Sequence, residues 1–337
     1  MEGKITIKDI AKLTGFSKST ISRYLNNGYV SAEKAERIQS VIAKTGFQSN
    51  FFASRLKTKH SKLVGIILPR MDSVSVGKFL SGVTHVLEPG DYQGLILSSN
   101  LKLEKETANI SKLLQQGVDG IIVDSLGITK EHLRLVKEAG VPVIFTGQSH
   151  PDLLCIKVDD YRAGAVMGNY LRKKGYRHAV FAGVAEQDHA VGVERKQGFV
   201  EAFTLKSPKS KVDFVETGFS FSSAYDKGPD IVAAGPEVVV CATDNIALGV
   251  LRYLREQKIQ VPEAMGIAGF GGYEVGAVAY PALTTVAFDY ALVGMRTAQA
   301  ILTLLEGKPI SNLGPVPMFF MERESVQPQK LKEKGRR

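Results

Sequence analysis

Two sets of side chains in this 337-residue chain have the types and spacing to do chemistry. The first is Lys18, Ser19, Ser22 and Arg23, where cations alternate with hydroxyls over a short stretch. Such groups grip phosphates and reach the donors and acceptors on base edges. The second set recurs where apolar runs end. Arg70, Asp72 and Ser73 follow LVGIIL and Pro69; Asp124 and Ser125 follow GIIV; Gln148, Arg195 and Asp244 take comparable loop or helix-start positions. Polar groups gathered at strand exits can converge on a polar solute, although each of them alone also reads as an ordinary surface residue.

Catalysis has no comparable support. His189 stands beside Asp188, but adjacency does not orient a proton-transfer pair, and no nucleophile is coupled to it. Cys155 and Cys241 each sit in an apolar run with no CxxC or Cys/His cluster, and the other histidines lack metal-ligand spacing. The expectation is a reducing cytoplasm, no metal, no cofactor and no enzyme.

The first set needs a scaffold, and residues 1–48 supply one. Thr6 and Asp9 cap a helix that carries Ile7, Ile10 and Ala11 and ends near Leu13. Gly15 permits a tight turn, and Ser17 starts a second helix running to about Asn26, with Ile21 and Leu25 facing inward. Asn27 and Gly28 break it, and Ser31 starts a third helix whose Ala35, Ile38 and Ile42 form an apolar wall. A three-helix helix-turn-helix head follows, its second helix suited to a major groove; a generic helical bundle is the plainer reading. In residues 49–62, Asn50 can begin a brief hinge helix with Ala53 and Leu56 on one edge and Arg55, Lys57 and Lys59 available to phosphates. Leu56 can wedge into a minor groove if two copies pair on DNA, the alternative being a flexible basic linker.

The second set needs a larger frame. From residue 63 to 327, strand-like runs (63–68, 95–98, 120–123, 143–145) alternate with helix-length segments (76–87, 105–116, 129–139). A similar series restarts at Cys155 to Val158 and continues through 178–181, 212–215, 238–241 and 266–268, with helices at 160–172, 194–204, 223–233 and 245–256. The pattern predicts two α/β lobes with parallel sheets, and residues 289–305 as a helix that returns the chain to the first lobe.

Charge separates the two jobs. Residues 1–62 hold 12 Lys/Arg against 4 Asp/Glu, and the tail 328–337 holds 5 against 1, so the net charge of +9 lies at the ends and the body is slightly acidic. The opening MEGKITIKDI has no apolar signal segment, and no stretch reaches membrane-spanning length, so neither secretion nor a membrane role is expected.

The motifs TIKDIAKLTGFSKSTISRYLNN, VGIILPRMDS, GVERKQGF, VVVCATDNIALGV and GIAGF to LTTVAFD together resemble the lactose-repressor family over nearly the whole chain. That resemblance implies a two-lobed periplasmic-binding-protein-like effector domain behind the head. It also implies a homodimer that binds double-stranded, near-palindromic operator DNA as a transcriptional repressor, and a small carbohydrate whose binding changes operator affinity. Thr6, Ser17, Lys18, Ser19, Ser22, Arg23, Asn26, Tyr29, Ala53, Arg55 and Leu56 are the DNA-contacting residues so implied. Arg70, Asp72, Ser73, Asp124, Gln148, Asp160, Arg195, Thr243, Asp244 and Phe288 are the effector residues. Asp160 is expected to cap a helix or hold ligand, and Phe288 to stack on a sugar ring or sit in the core.

Three departures bear on the effector. Thr243 replaces the Asn common in the family, and Gly271 stands where many sugar-binding members have Asp. Arg70 resembles the arginine of trehalose-operon repressors that respond to a sugar phosphate. Arg70 and Arg195 therefore offer planar donors to a disaccharide phosphate, unless Arg70 closes an interlobe salt bridge. A purine effector, a protein corepressor, a transport-associated sugar-binding protein and an enzyme are the competing readings.

Overall fold

The computed structural model describes residues 5–25, 28–47, 60–205, 209–310 and 316–329. Asn26, the expected hinge with Ala53, Arg55 and Leu56, and the tail from residue 330 lie outside the described residues. The chain divides into two compact units, Met1–Ser61 and Lys62–Arg337.

In the first unit α1 (Ile7–Thr14), α2 (Lys18–Leu25) and α3 (Ala32–Thr45) each contribute one fully buried isoleucine, Ile10, Ile21 and Ile38, with Phe47 beside them. The caps are the ones expected. Thr6 donates from both its backbone N–H and its hydroxyl to Asp9 Oδ2 (3.0 and 2.6 Å), and Thr20 N–H donates to Ser17 Oγ at 3.2 Å. Gly15 ends α1 at φ 73°, a conformation that costs any residue with a Cβ.

The second unit contains two sheets. The first has strands β1 (Leu63–Leu68), β2 (Gln93–Ser98), β3 (Gly120–Asp124), β4 (Val143–Thr146) and β5 (Cys155–Ile156), all parallel in the order β2-β1-β3-β4-β5. Around it lie α4 (Val74–Leu87), α5 (Leu103–Gln115) and α6 (Lys130–Glu138). The second sheet has β6 (His178–Gly183), β7 (Lys211–Glu216), β8 (Val238–Cys241), β9 (Gly266–Gly271), β10 (Thr284–Phe288) and β11 (Met318–Met321), in the order β11-β10-β9-β8-β6-β7. Only β11 runs antiparallel. Its helices are α7 (Asp160–Lys173), α8 (Lys196–Thr204), α9 (Phe221–Asp226), α10 (Gly228–Ala233), α11 (Asp244–Glu256) and α12 (Glu274–Val278). Both sheets wind outward from a central first strand, so each has a switch point, between β1 and β3 and between β6 and β8. At such a point loops diverge and leave a crevice.

Four expectations are corrected. The run from Cys155 does not open the second lobe: Phe145 pairs with Cys155 and Thr146 with Ile156, so β5 closes the first sheet. The helix expected over 223–233 is two short helices, because Pro229 can neither donate an N–H nor tolerate the preceding turn's carbonyl. The helix expected from Glu194 is preceded by a wide π-type turn, His189–Arg195, that runs into α8. Finally, β10 and β11 had no expected counterpart.

The expected return helix is α13 (Tyr290–Leu305), which packs against α4 and the first sheet. Small residues make the crossing close: a Cβ on Gly82 would lie 2.0 Å from Ala291 O, and one on Gly294 would lie 2.1 Å from Phe79 O. Gly294→Val must therefore push two backbones apart, and we expect a stability loss of about 1–3 kcal/mol in urea titrations followed by far-UV circular dichroism. An unchanged midpoint would show that the two helices separate without cost. Among the described residues no helix is long and apolar enough to cross a membrane.

Candidate functional site

A cavity of about 170 Å³ lies between the carboxyl ends of the two sheets. That is room for on the order of ten waters, and hence for a small polar solute. Of the ten residues expected around a solute, eight line it: Arg70, Asp72, Ser73, Asp124, Gln148, Asp160, Arg195 and Thr243. Asp244 and Phe288 do not.

Each lining residue is placed by the end of an element. β1 delivers Arg70, whose Nε donates to Asp72 Oδ1 at 2.7 Å and whose guanidinium lies 5.3 Å from the ring centre of Phe219, on the other lobe. The interlobe salt bridge considered for Arg70 is thus not the contact formed; its carboxylate partner is two residues away. β3 delivers Asp124, which accepts from Thr146 Oγ1 at 3.0 Å. Ser125 follows it and donates to the buried Glu106 at 2.5 Å. Gln148 Nε2 reaches across the cleft to Asp188 Oδ1 at 3.3 Å, and His189 N–H donates to Leu126 O at 3.1 Å.

Arg195 is 3% exposed. Its Nε and Nη2 both donate to Asp160 Oδ1 (3.0 and 2.5 Å), and its Nη1 donates to Ala242 O at 2.5 Å. Phe270 and Phe288 lie 5.2 and 5.1 Å from its guanidinium carbon. Phe288 therefore supports an arginine instead of facing the cavity. Asp160 does not cap α7 either: Asp159 accepts from Arg162 N–H at 2.9 Å, which leaves Asp160 to hold Arg195. Asp244 is fully buried and accepts from Tyr273 N–H (2.8 Å) and Thr285 Oγ1 (2.6 Å), so it acts on the cavity only by fixing Tyr273. Thr243 caps α11 by accepting from Ile246 N–H at 3.3 Å.

Several cavity residues were not expected from the sequence: Asp188, Phe219, Asn245, Tyr273 and Tyr290. Tyr273, from the second lobe, lines the same cavity as Ser73 and Ser75 of the first, and burial pushes its phenol up while those two serines oppose the rise. Asp188 did carry a signal, since it sits in the loop leaving β6, just before the GVERKQGF motif. Next to the cavity lies a smaller one of about 80 Å³ that shares Asp124 and Tyr290 and adds Lys157, which is bound to Glu194. The electrostatics are unusual. Burial pushes Asp124 up to about 7, reinforced by repulsion from Asp188 and Glu106 against the Thr146 bond. Burial pushes Asp188 up to about 6, reinforced by Asp160 and opposed by its bonds and by Arg195.

On the first unit, Lys18, Ser19 and Arg23 are exposed on α2, and Ser22 is half-buried. Ser17 Oγ lies 2.7 Å from Ser19 Oγ and 2.9 Å from Thr20 Oγ1, which gathers hydroxyls at the positive end of the helix. Tyr29 is 88% exposed, whereas the Thr6 hydroxyl is engaged in its cap. Gly28 lets the chain turn against Arg23, since a Cβ there would lie 2.6 Å from Arg23 Cγ.

Residues 6–50 match the bacterial regulatory proteins of the lacI family, and residues 169–326 match the periplasmic binding protein-like domain. The chain is 36% identical over 290 residues to the sucrose operon repressor of Staphylococcus xylosus, covering 86% of this chain and 90% of that protein. It is 27% identical over 310 residues to the HTH-type transcriptional regulator TreR of Salmonella typhimurium, covering 91% and 96%. Among solved structures, the lac repressor dimer bound to operator and the anti-inducer ONPF has the same fold, with a TM-score of 0.86 at 20% identity, covering 96% of this chain and 100% of that one.

Proposed function

The chain belongs to the lacI family of bacterial regulatory proteins, and from that premise we propose that it is a sequence-specific transcriptional repressor controlled by a small carbohydrate held between the lobes of its body. The observation that carries the ligand half of this reading is a cavity whose walls come from both lobes and whose closure rests on contacts between them. These are Gln148 to Asp188, His189 N–H to Leu126 O, and Arg70 over Phe219. A solute that bonds to both walls favours one lobe arrangement, and any preference of the operator for another is then linked to it reciprocally. The name of the Staphylococcus relative makes sucrose the first sugar to try.

The DNA half rests on α2, whose exposed Lys18, Ser19 and Arg23 suit a major groove. We take the working form to be a cytoplasmic homodimer, one head per half-site, with the hinge residues Ala53, Arg55 and Leu56 completing the contact and the sugar promoting release. The test is fluorescence anisotropy with an operator selected from random duplexes, with and without sucrose or trehalose at matched salt. The expected result is selective binding weakened at least about tenfold by one of the sugars. Equal affinity for selected and random duplexes would reject the reading. Lys18→Ala is expected to cost about 1–3 kcal/mol on the selected operator and to relax its base preference. A uniform loss on every duplex would instead assign Lys18 to phosphate.

A further inference from the structure

The charges in the cleft do not suit the phosphate ester that Arg70 and Arg195 suggested from sequence. Two cations line it among the described residues, and each is already held by a carboxylate, Arg70 by Asp72 and Arg195 by Asp160; Lys157, in the adjoining smaller cavity, is held by Glu194. Two carboxylates face it with no cation in hydrogen-bonding contact, Asp124 from the first lobe and Asp188 from the second. We propose that Asp124 and Asp188 determine the specificity of the cleft, selecting an uncharged, hydroxyl-rich solute against its phosphate ester. The inference rests on the carbohydrate reading above and narrows its chemical class.

The physical argument has two steps. An ionised carboxylate only accepts hydrogen bonds and offers about four lone-pair sites, whereas a sugar hydroxyl can donate one. Thr146 supplies one bond to Asp124, while Gln148 and the Val191 N–H share one oxygen of Asp188, so acceptor capacity is left on both acids. Hydroxyls placed between them replace repulsion across the cleft with shared donors, which ties recognition to lobe closure. A phosphate monoester carries about −1.5 to −2 at pH 7 and brings only acceptors to the same place. Beyond neutral hydroxyls and amides, the cationic donors open to it are the N–H groups that Asp72 leaves on an already neutralised Arg70 and those of Arg195, whose pair with Asp160 is 2–3% exposed. Breaking that buried pair would leave Asp160 uncompensated.

Calorimetry on the full chain with sucrose, sucrose 6-phosphate, trehalose and trehalose 6-phosphate reads the selection directly, and the wild-type comparison needs no substitution. The expected result is that one free sugar binds at least about tenfold tighter than its phosphate. Asp188→Asn and Asp124→Asn should each weaken the free sugar and narrow that ratio. A phosphorylated sugar binding tighter, with that preference lost in Arg70→Ala, overturns this inference and leaves the carbohydrate reading standing. Selective operator binding with none of the four sugars bound overturns both.

Discussion

Asp160→Leu is expected to destabilise the body by about 3–5 kcal/mol and to abolish sugar binding, because it strands a guanidinium that has no way to lose its charge. Arg195 is 3% exposed, flanked by two phenylalanines, and has only Ala242 O as a remaining acceptor. A guanidinium keeps its proton in any protein setting, so it cannot neutralise itself when its partner is removed. The converse change should be milder. In Arg195→Met the stranded group is Asp160, which can take up a proton, so the expected loss is about half as large. The double variant Asp160→Leu/Arg195→Met removes both charges and should recover most of the stability without recovering binding. The chain has no tryptophan, so far-UV circular dichroism in guanidinium is the suitable readout of stability. Equal losses for the two single variants would show that the pair is solvated despite its burial. A single Asp160→Leu loss under about 1 kcal/mol would show the same.

What could be read in the sequence follows from the range of the interactions that decide each feature. The head was legible because local contacts build it: Thr6 with Asp9, Ser17 with Thr20, and glycines at 15 and 46 closing helices at φ 73° and 63°. The alternation of strands and helices was legible for the same reason. The lobe to which Cys155 belongs was not, because only its pairing with Phe145 across a loop decides it. At the site, strand exits nominated Arg70, Asp124 and Gln148, and the parallel winding sends those positions to one edge, where they line one cavity. The partners that set their chemistry were hidden. Arg195 meets Asp160 35 residues away, and Asp188 meets Gln148 40 residues away, so neither the buried pair nor the unmatched acids can be inferred from neighbours in the chain. Phe288, for which the sequence also allows a core position, and Asp244 lie one layer behind the cavity wall, because a position near a strand end does not say which side faces the cavity.

The raised carboxyls make a second strong expectation, that stability and sugar affinity respond to pH in opposite directions. Asp124 rises from an ordinary value of 3.8 to about 7 and Asp188 to about 6, so between about pH 4 and 7 the folded body binds more protons than the unfolded chain. Stability of the sugar-free protein is then lost as pH rises through that window, and the penalty is complete above pH 7. Because both acids are only partly buried, on the order of 1–3 kcal/mol is a reasonable span. Asp124 is faced by Asp188 and Glu106, and Asp188 by Asp160, Arg195 and Gln148. Carboxylates held low, among them Asp9 by Thr6, Asp72 by Arg70 and Asp213 by His178, act in the opposite direction toward the acid side of this window, while Asp244, also raised by burial, adds to the loss. The chain also has six histidines, so the diagnostic quantity is the difference between wild type and Asp124→Asn, which should be more stable at pH 8 and nearly equal at pH 5. An uncharged sugar donates to the ionised acids and therefore favours their deprotonated form, so its affinity should rise from pH 5.5 to 8 and its binding should release protons. Calorimetry at pH 6.5 in two buffers of different ionisation enthalpy counts those protons. Uptake instead of release would mean that the bound solute accepts from the acids, and hydroxyl donation across the cleft would then be the wrong account of how the two lobes are drawn together.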